Sequence, residues 1–169
     1  MRGLILTNAH VVAMASNIKV SSGREKRRYQ VMPLGVCNSA DFAVLQMKPE
    51  ERETYERRNG EVVPLELGDS DQLRVGDKVR GWGYPLGGKR ISKSEEGDIN
   101  RIEVRPYSHT QDSWLMVQAS LQLNPGNSGG PIFKNGKVVG IAFQGIMASE
   151  RINYFIPINL VKHLMPLLH

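Results

Sequence analysis

A chain of 169 residues, of which 40% are hydrophobic, has enough apolar material for one globular domain or for two small lobes that share a core. This composition argues against a disordered protein, and one cysteine, Cys37, excludes an internal disulfide framework and most cysteine-based metal sites. The net charge is +5, and every apolar run is far shorter than the about 20 residues of a membrane-spanning helix, so we expect a soluble chain without a membrane span.

The positive charge raises the question of a nucleic-acid or membrane partner. The densest basic cluster, residues 24–28, follows the turn-forming residues 21–23 and lies between two β-like runs, residues 18–20 and 29–31. Its charges do not alternate with aromatic side chains, as they do in surfaces that stack single-stranded nucleic acid. We interpret the cluster as the solvated end of a hairpin and expect no nucleic acid to bind there.

Two candidate site residues lie beside apolar runs in the first quarter of the chain. His10 follows the run of residues 4–6, where a strand gives way to a turn or short helix. Asp41 directly precedes the run of residues 42–45. Taken singly, such a histidine is more often an ordinary core or surface residue, and such an aspartate is more often a cap or turn residue.

The middle of the chain changes from a charged segment to a series of short β-like runs. Residues 49–60 mix charges of both signs and predict an exposed helix or loose excursion without visible chemistry. Apolar runs then recur between turn signals at residues 78–82, 99–104, 115–118 and 138–143. This spacing predicts an all-β sandwich or barrel.

The last third of the chain contains one hairpin signal and one helix signal. Asn135 and Gly136 stand between apolar flanks and favour a two-residue turn with positive φ at both positions. Residues 158–165 show helical spacing, with Pro157 at the start and Pro166 at the end. The apolar face that should dock on the barrel consists of Leu160, Val161, Leu164 and Met165.

Ser128 lies in a glycine-rich turn, residues 124–131. Glycines on both sides allow backbone angles and close approaches that a Cβ atom would block. The backbone amides of Gly126, Asn127 and Ser128 could converge on a developing negative oxygen, as in an oxyanion hole. The alternative is a polar turn between two strands, because the same residue types dominate ordinary turns.

Two other patterns mimic ligand sites and fail on their chemistry. Residues 83–89 fit the first seven positions of a phosphate-binding P-loop, but Arg90 stands where a Ser or Thr hydroxyl should hold magnesium. Residues 69–71 lack the glycine and the distal glutamate of a calcium loop, so we interpret them as a turn or cap. We expect no nucleotide, metal or organic cofactor.

His10, Asp41 and Ser128 follow one another in the chain order of chymotrypsin-like proteases. Their local sequences, residues 6–12, 41–45 and 124–131, strongly resemble the three catalytic motifs of the HtrA (Deg) family of serine proteases. Further similarity covers nearly the whole chain. These further similar segments are residues 67–70, 75–77, 81–87, 139–143 and 156–157.

The resemblance implies an all-β fold: a chymotrypsin-like double β-barrel with a C-terminal helix. A family strand that usually precedes the segment beginning at Gly3 is absent from this sequence, so we expect an incomplete first barrel. The implied division of the trypsin-like protease domain is a first lobe over residues 1–70, a second lobe over residues 71–157 and the helix over residues 158–169, with no PDZ domain.

The resemblance also implies a serine endopeptidase that hydrolyses unfolded or misfolded proteins through an acyl-enzyme. Ser128 would attack the carbonyl carbon, and His10 would take its proton and later give it to the leaving amine. Asp41 would fix the ring tautomer of His10 and stabilise the imidazolium. The amides of Gly126 and Ser128 would form the core of the oxyanion hole.

The substrate pocket implied by the resemblance departs from the family pattern. Gln122 lies where relatives usually have a small residue, and Asn153 stands where a glycine is common. With Phe143 and Gln144 as further lining residues, we expect a shallower and more polar pocket than the small-aliphatic pocket typical of the family. An equally supported alternative is that Gln122 and Asn153 only bond local backbone.

The open edge at residues 4–7 leaves backbone donors and acceptors available for pairing. A homo-oligomer or a strand-completing partner would satisfy them. A different class of function therefore stays open: a catalytically inactive, protease-like module that binds extended peptides by strand addition. Relatives occur in the periplasm, mitochondria, chloroplasts and nucleus, so the resemblance assigns no compartment.

Overall fold

A computed structural model describes residues 3–84, 90–106, 112–124, 126–143 and 153–168. These residues form two antiparallel β-sheets and a helix at the end of the chain. The all-β prediction with a C-terminal helix is therefore confirmed. The predicted lobe boundaries at residues 70 and 157 stay a prediction.

The first sheet has four strands in the order β1-β4-β3-β2 and stays open within the described part of the chain. Its elements are β1 (Leu4–Thr7), α1 (Ala9–Val12), β2 (Ile18–Val20), β3 (Tyr29–Cys37) and β4 (Phe42–Met47). β2 pairs with β3 across the basic segment, which confirms the predicted hairpin. The central strand β4 is buried on both faces at most positions, because one face meets α1 and the other meets the second sheet.

The second sheet closes into a ring. Its seven strands run in the order β6-β5-β7-β8-β11-β10-β9, and β9 pairs back onto β5. They are β5 (Lys78–Gly83), β6 (Ser92–Lys93), β7 (Gly97–Pro106), β8 (Ser113–Ala119), β9 (Pro131–Lys134), β10 (Lys137–Phe143) and β11 (Asn153–Pro157). β11 was not among the predicted strands. The interior of the ring is filled with apolar side chains, among them Ile99, Val117, Ile132 and Phe155.

The turn between β9 and β10 has the predicted geometry. Asn135 has a φ of 51° and Gly136 a φ of 77°, so both central residues adopt the left-handed conformation of a primed hairpin turn. The turn is followed by the predicted core strand, whose positions Val138 to Ala142 are buried. This hairpin pairs β9, which follows the serine-bearing loop in the chain, with β10.

The two sheets share a buried apolar cluster. Phe42 and Val44 of the first sheet belong to one cluster with Ile141 and Ile156 of the second sheet, and all four are 3% exposed or less. The buried face of the C-terminal helix completes the cluster through Ile158. Full burial of each such side chain contributes about 1.5–3 kcal/mol. The sheets are therefore held in one packed body, as expected for two lobes that share a core.

Helix α3 (Ile158–Leu164), followed by a 3₁₀ turn (Met165–Leu167), also fastens the segment between the two sheets. The Asn159 backbone amide donates to Ser70 Oγ at 2.9 Å, and its side-chain amide donates to Asp69 Oδ1 at 2.7 Å. The hydrogen bond from Asn159 lowers the pKa of Asp69. Asp69 also accepts from the Asp71 amide at 3.0 Å, which confirms the predicted cap at residues 69–71.

Helix α2 (Pro49–Asn59) has no buried residue, as predicted for an exposed charged segment. It is tied to the basic hairpin through Glu25, which accepts hydrogen bonds from Arg58 Nε at 2.8 Å and from Asn59 Nδ2 at 2.7 Å. The buried Tyr29 hydroxyl donates to the same carboxylate. The hydrogen bonds from Asn59 and Tyr29 lower the pKa of Glu25 to about 2. Two segments that the sequence presented separately thus form one polar cluster.

Candidate active site

Two hydrogen bonds join His10 and Asp41. The His10 backbone amide donates to Asp41 Oδ1 at 2.8 Å, and His10 Nδ1 lies 2.8 Å from Asp41 Oδ2. An ionised carboxylate only accepts hydrogen bonds, so the ring proton belongs on Nδ1 and Nε2 is left as the acceptor. Asp41 is 1% exposed, whereas the His10 side chain is 44% exposed. The pair therefore presents a basic nitrogen on an accessible ring.

The antiparallel pairing of β1 with β4 brings these two residues together. Thr7 at the end of β1 pairs with Ala43 near the start of β4. His10 is the second residue of α1 and stands three positions after the end of β1, and Asp41 directly precedes β4. Asp41 has a φ of 51°, a left-handed conformation that aspartate tolerates better than most residues. The sheet register thus juxtaposes two residues that lie 31 positions apart in the chain.

The loop that carries Ser128 is anchored to β10. The Gly129 amide donates to the Ala142 carbonyl at 3.0 Å, and the Ala142 amide donates to the Gly130 carbonyl at 2.8 Å. Gly129 has a φ of 85°, and a Cβ on it would lie 2.4 Å from Thr7 Oγ1. The loop that carries Ser128 therefore lies against the segment that precedes His10.

Ser128 Oγ and the His10 ring are not hydrogen-bonded to each other in the part of the chain that the structure describes. The His10 ring instead has an edge-on contact with Phe143 at the end of β10, with ring centroids 6.1 Å apart and planes at 75°. Of the three predicted catalytic residues, the structure joins His10 to Asp41 directly. It brings the loop of Ser128 alongside through Gly129.

The three amides predicted for an oxyanion hole differ in their hydrogen bonds. The Asn127 amide donates to the Asn124 carbonyl at 3.1 Å, which closes the turn. No described backbone carbonyl accepts from the amides of Gly126 or Ser128. Gly126 has a φ of 99°, open to glycine at little cost. Among the described residues, the amides of Gly126 and Ser128 are therefore the two of the three without a backbone acceptor.

The strand after the serine loop is braced by an ion pair. Lys134 Nζ at the end of β9 lies 2.5 Å from Asp77 Oδ2, in the turn that precedes β5. The Arg74 amide donates to the same carboxylate oxygen at 2.8 Å. The hydrogen bond from Lys134, followed by that from Arg74, lowers the pKa of Asp77. This brace joins the end of β9 to the turn before β5.

One residue at the site was missed by sequence reasoning. Asn8 is fully buried, and its side-chain amide donates to the Asp41 carbonyl at 3.1 Å. Its place two residues before His10 was the available signal, but the hydrogen bond spans 33 positions and leaves no trace in local spacing.

Residues 1–141 match the family model of the trypsin-like peptidase domain. The chain is 34% identical over 166 residues to a serine protease DegP homolog of Plasmodium falciparum, covering 98% of this chain and 18% of that protein. It is 35% identical over 161 residues to protease Do-like 4, mitochondrial, of Arabidopsis thaliana, covering 95% and 29%. The solved structure of the HtrA-type protease AlgW with a decapeptide superposes with a TM-score of 0.80 at 28% identity, covering 97% and 47%.

The chain belongs to the HtrA (Deg) family of trypsin-like serine proteases. It spans less than a third of the two curated relatives and about half of the AlgW chain. The resemblance stated from the motifs is thereby confirmed, and so is the chymotrypsin-like fold class.

The residues predicted to line the substrate pocket of this HtrA-family chain have different surroundings. Gln122 is exposed, Phe143 is half-buried beside His10, and Gln144 lies outside the described residues. Asn153 is 8% exposed and donates its side-chain amide to the Leu121 carbonyl. This bond joins Asn153 to backbone 32 positions away in the chain. The lining roles of Gln122, Phe143, Gln144 and Asn153 stay predictions.

The remaining predictions concern metal ions, membranes, the P-loop-like segment and the cysteine. Within the described residues, no three His, Cys, Asp or Glu side chains lie close enough to hold a metal ion. None of the helices described has both the length and the apolar composition to cross a membrane. Most of the P-loop-like segment, residues 85–89, lies outside the described part of the chain. Cys37 is a half-buried free thiol at the end of β3.

Proposed function

We propose that this chain is a serine endopeptidase that cleaves unfolded or misfolded polypeptides through an acyl-enzyme. The observation that carries the proposal is the His10–Asp41 pair, which is joined by two hydrogen bonds. The close approach of Gly129 to Thr7 brings the loop of Ser128 beside this pair. Membership of the HtrA family supports the same reaction class.

In the proposed reaction, Ser128 Oγ attacks the carbonyl carbon of the scissile bond while His10 Nε2 takes the hydroxyl proton. The proton on Nδ1 stays directed at Asp41 Oδ2, so the imidazolium that forms is stabilised by a buried carboxylate. His10 then gives its proton to the leaving amine, and the acyl-enzyme is hydrolysed by water along the reverse route. For this reaction, His10 Nε2 must come within hydrogen-bond distance of Ser128 Oγ when the substrate binds. Catalytic hydrogen bonds commonly tighten in the substrate complex.

The negative oxygen of the tetrahedral intermediate would be held by the amides of Gly126 and Ser128. Both are free of backbone carbonyls among the described residues, whereas the Asn127 amide closes its own turn. Loss of one such donor typically costs about 2.7–4 kcal/mol of transition-state stabilisation. We infer that Asn127 serves the hole by shaping the loop.

The proposed substrate class follows from access to the site. His10 is exposed and Ser128 half-exposed at the surface, so the scissile bond must be carried in on a chain segment that can extend between them. Folded proteins rarely offer such a segment. The AlgW structure was solved with a decapeptide, and a polypeptide is the substrate class that we propose for this chain.

Degradation of one protein in two states tests this proposal. A reduced, carboxymethylated protein should be cut by the wild-type chain and spared by Ser128→Ala, while its native disulfide-bonded form should be spared by both. Cleavage of the native form at an equal rate would contradict the substrate class. Equal cleavage by the wild type and Ser128→Ala would contradict the assignment of Ser128.

Ser128 and the His10 ring are not hydrogen-bonded among the described residues. This observation favours a second candidate function, in which the chain binds extended peptides without cutting them. The same samples distinguish it. A fluorescent, unstructured peptide that binds the wild type and Ser128→Ala with equal affinity, and leaves the wild type uncut, would favour the binding module.

A partner for the first sheet is a separate proposal. β1 pairs with β4 on one side, and no other described strand pairs with its second side. A second copy of the chain or a strand from a partner could pair there. Light scattering across a concentration series should then show a mass above that of the monomer, and a constant monomer mass would exclude self-association.

A further inference from the structure

We propose that Asn8 is the positioning residue that sets the geometry of the His10–Asp41 pair, an inference that rests on the proposed protease function. Asn8 is the N-cap of α1, where an asparagine side chain normally accepts a hydrogen bond from its own helix. Its side chain makes no such capping bond. It donates instead to the Asp41 carbonyl at 3.1 Å, across 33 residues of sequence.

The bond from Asn8 acts on a strained residue. Asp41 has a φ of 51°, which L-amino acids adopt at a cost and keep only where surrounding contacts hold them. Both carboxylate oxygens of Asp41 are bonded to His10, one to its amide and one to its ring. The carboxylate is thus committed to its catalytic partner, and the Asn8 amide fixes the backbone from the opposite end of the residue.

The unpaired end of the Asn8 side chain supports a functional reason for its presence. Asn8 Oδ1 is buried and lacks a hydrogen-bond partner among the described residues. Burying an amide oxygen without a partner costs free energy, which an apolar side chain at the same position would avoid. An apolar side chain would at the same time remove the donor from which the Asp41 carbonyl accepts. The bond from its Nδ2 atom to Asp41 is what this residue supplies.

Asn8 also lies close to the loop that carries Ser128. Its backbone nitrogen lies 3.3 Å from the position that a Cβ on Gly129 would occupy, one residue after Ser128. A shift of Asn8 would therefore move the end of β1 against both the Asp41 turn and the serine loop. Misplacing a catalytic group by about 1 Å can cost on the order of 100-fold in rate.

The test measures labelling of Ser128 by a fluorophosphonate in the wild type, Asn8→Ala, the milder Asn8→Ser, and a control, Asn159→Ala. Asn159 also bridges distant segments with its side-chain amide, but it lies on α3 away from the site. Thermal unfolding of each variant reports stability. One-dimensional proton NMR reports the low-field signal of the His10 Nδ1 proton held by Asp41.

We expect both Asn8 variants to label on the order of 10-fold to 100-fold more slowly. Their low-field proton signal should be shifted or lost while the fold is retained at the assay temperature. Asn159→Ala should lose stability and keep wild-type labelling and the proton signal. Wild-type labelling rates and an unchanged signal in a folded Asn8 variant would overturn the inference. A wild type that shows no Ser128-dependent labelling would instead overturn the proposed function on which it rests.

Discussion

Gly129 lies so close to Thr7 that a methyl group on Gly129 would stand 2.4 Å from the Thr7 hydroxyl oxygen. Gly129 follows Ser128 in the second sheet's serine loop, and Thr7 ends the first strand of the other sheet. This close approach is the point at which the serine loop meets the segment that leads to His10. Its closeness depends on a residue without a side chain.

Gly129→Ala should therefore reduce both stability and labelling of Ser128. The left-handed φ of 85° and the collision with Thr7 each oppose the methyl group. We expect a loss of about 1–3 kcal/mol in the free energy of unfolding, measured by denaturant titration.

Gly136→Ala is the matched control for that variant. Gly136 has a similar φ of 77°, but no atom lies within 4 Å of the position that its new methyl group would take. It should carry only the backbone cost of about 1 kcal/mol and leave the labelling rate unchanged. Equal effects of the two substitutions on labelling would show that the Thr7 contact does not shape the site.

Asp41→Asn should abolish most activity without unfolding the chain. An amide nitrogen facing His10 Nδ1 favours the tautomer with its proton on Nε2, which cannot accept the Ser128 proton. We expect kcat on a peptide substrate to fall about 10,000-fold. A fall of less than about 10-fold, with normal unfolding behaviour, would show that Asp41 does not orient the ring.

The Glu25 cluster should make stability depend on acid pH. Its folded pKa of about 2 lies below the ordinary value of 4.5, so the ionised carboxylate favours the folded state. That stabilisation is complete above pH 4.5 and is lost as the pH falls toward 2. Glu25→Gln should therefore lower the thermal midpoint at neutral pH, and the difference from the wild type should shrink through this window.

Glu53→Gln is the control for the acid prediction. Glu53 lies on the same helix, is 73% exposed and pairs only loosely with Arg57 at 3.6 Å. Its substitution should change the midpoint little at any pH. A wild-type advantage over Glu25→Gln that persists undiminished at the low end of the window would contradict the role of the carboxylate.

Gln122 should influence which residue precedes the cleaved bond. If its exposed amide narrows the pocket, a peptide library cleaved by the wild type should show a broad or polar preference, and Gln122→Ala should shift it toward small aliphatic residues. The readout is the ratio of kcat/KM for paired peptides. A strict wild-type preference for valine or leucine would contradict a polar pocket.

The sequence predicted those turns and helices whose conformation depends mainly on neighbouring residues. Asn135 and Gly136 specify their turn because few other residues adopt positive φ at both positions. The C-terminal helix α3 could likewise be predicted from its spacing, whereas the charged composition of α2 predicted its exposure and left a helix and a loose excursion open. The catalytic assignment needed the three motifs together, because His10 or Asp41 alone has ordinary explanations.

The features that the sequence did not reveal depend on contacts between distant segments. The Asn8 bond to Asp41 and the Glu25 bonds to Arg58 and Asn59 each cross more than 30 positions. Such bonds exist only after sheet register and helix docking have placed both partners. The left-handed conformation of Asp41 is hidden for the same reason, since nothing in its local sequence requires it.

Intact-mass spectrometry after treatment with a fluorophosphonate asks directly whether Ser128 is a nucleophile served by His10 and Asp41. We expect one added label per wild-type chain, located on Ser128 by peptide mapping. Folded Ser128→Ala should take up no label, and His10→Ala should be labelled far more slowly than the wild type. A folded wild-type chain that stays unlabelled, or a label that persists in Ser128→Ala, would show that Ser128 is not the nucleophile of this site.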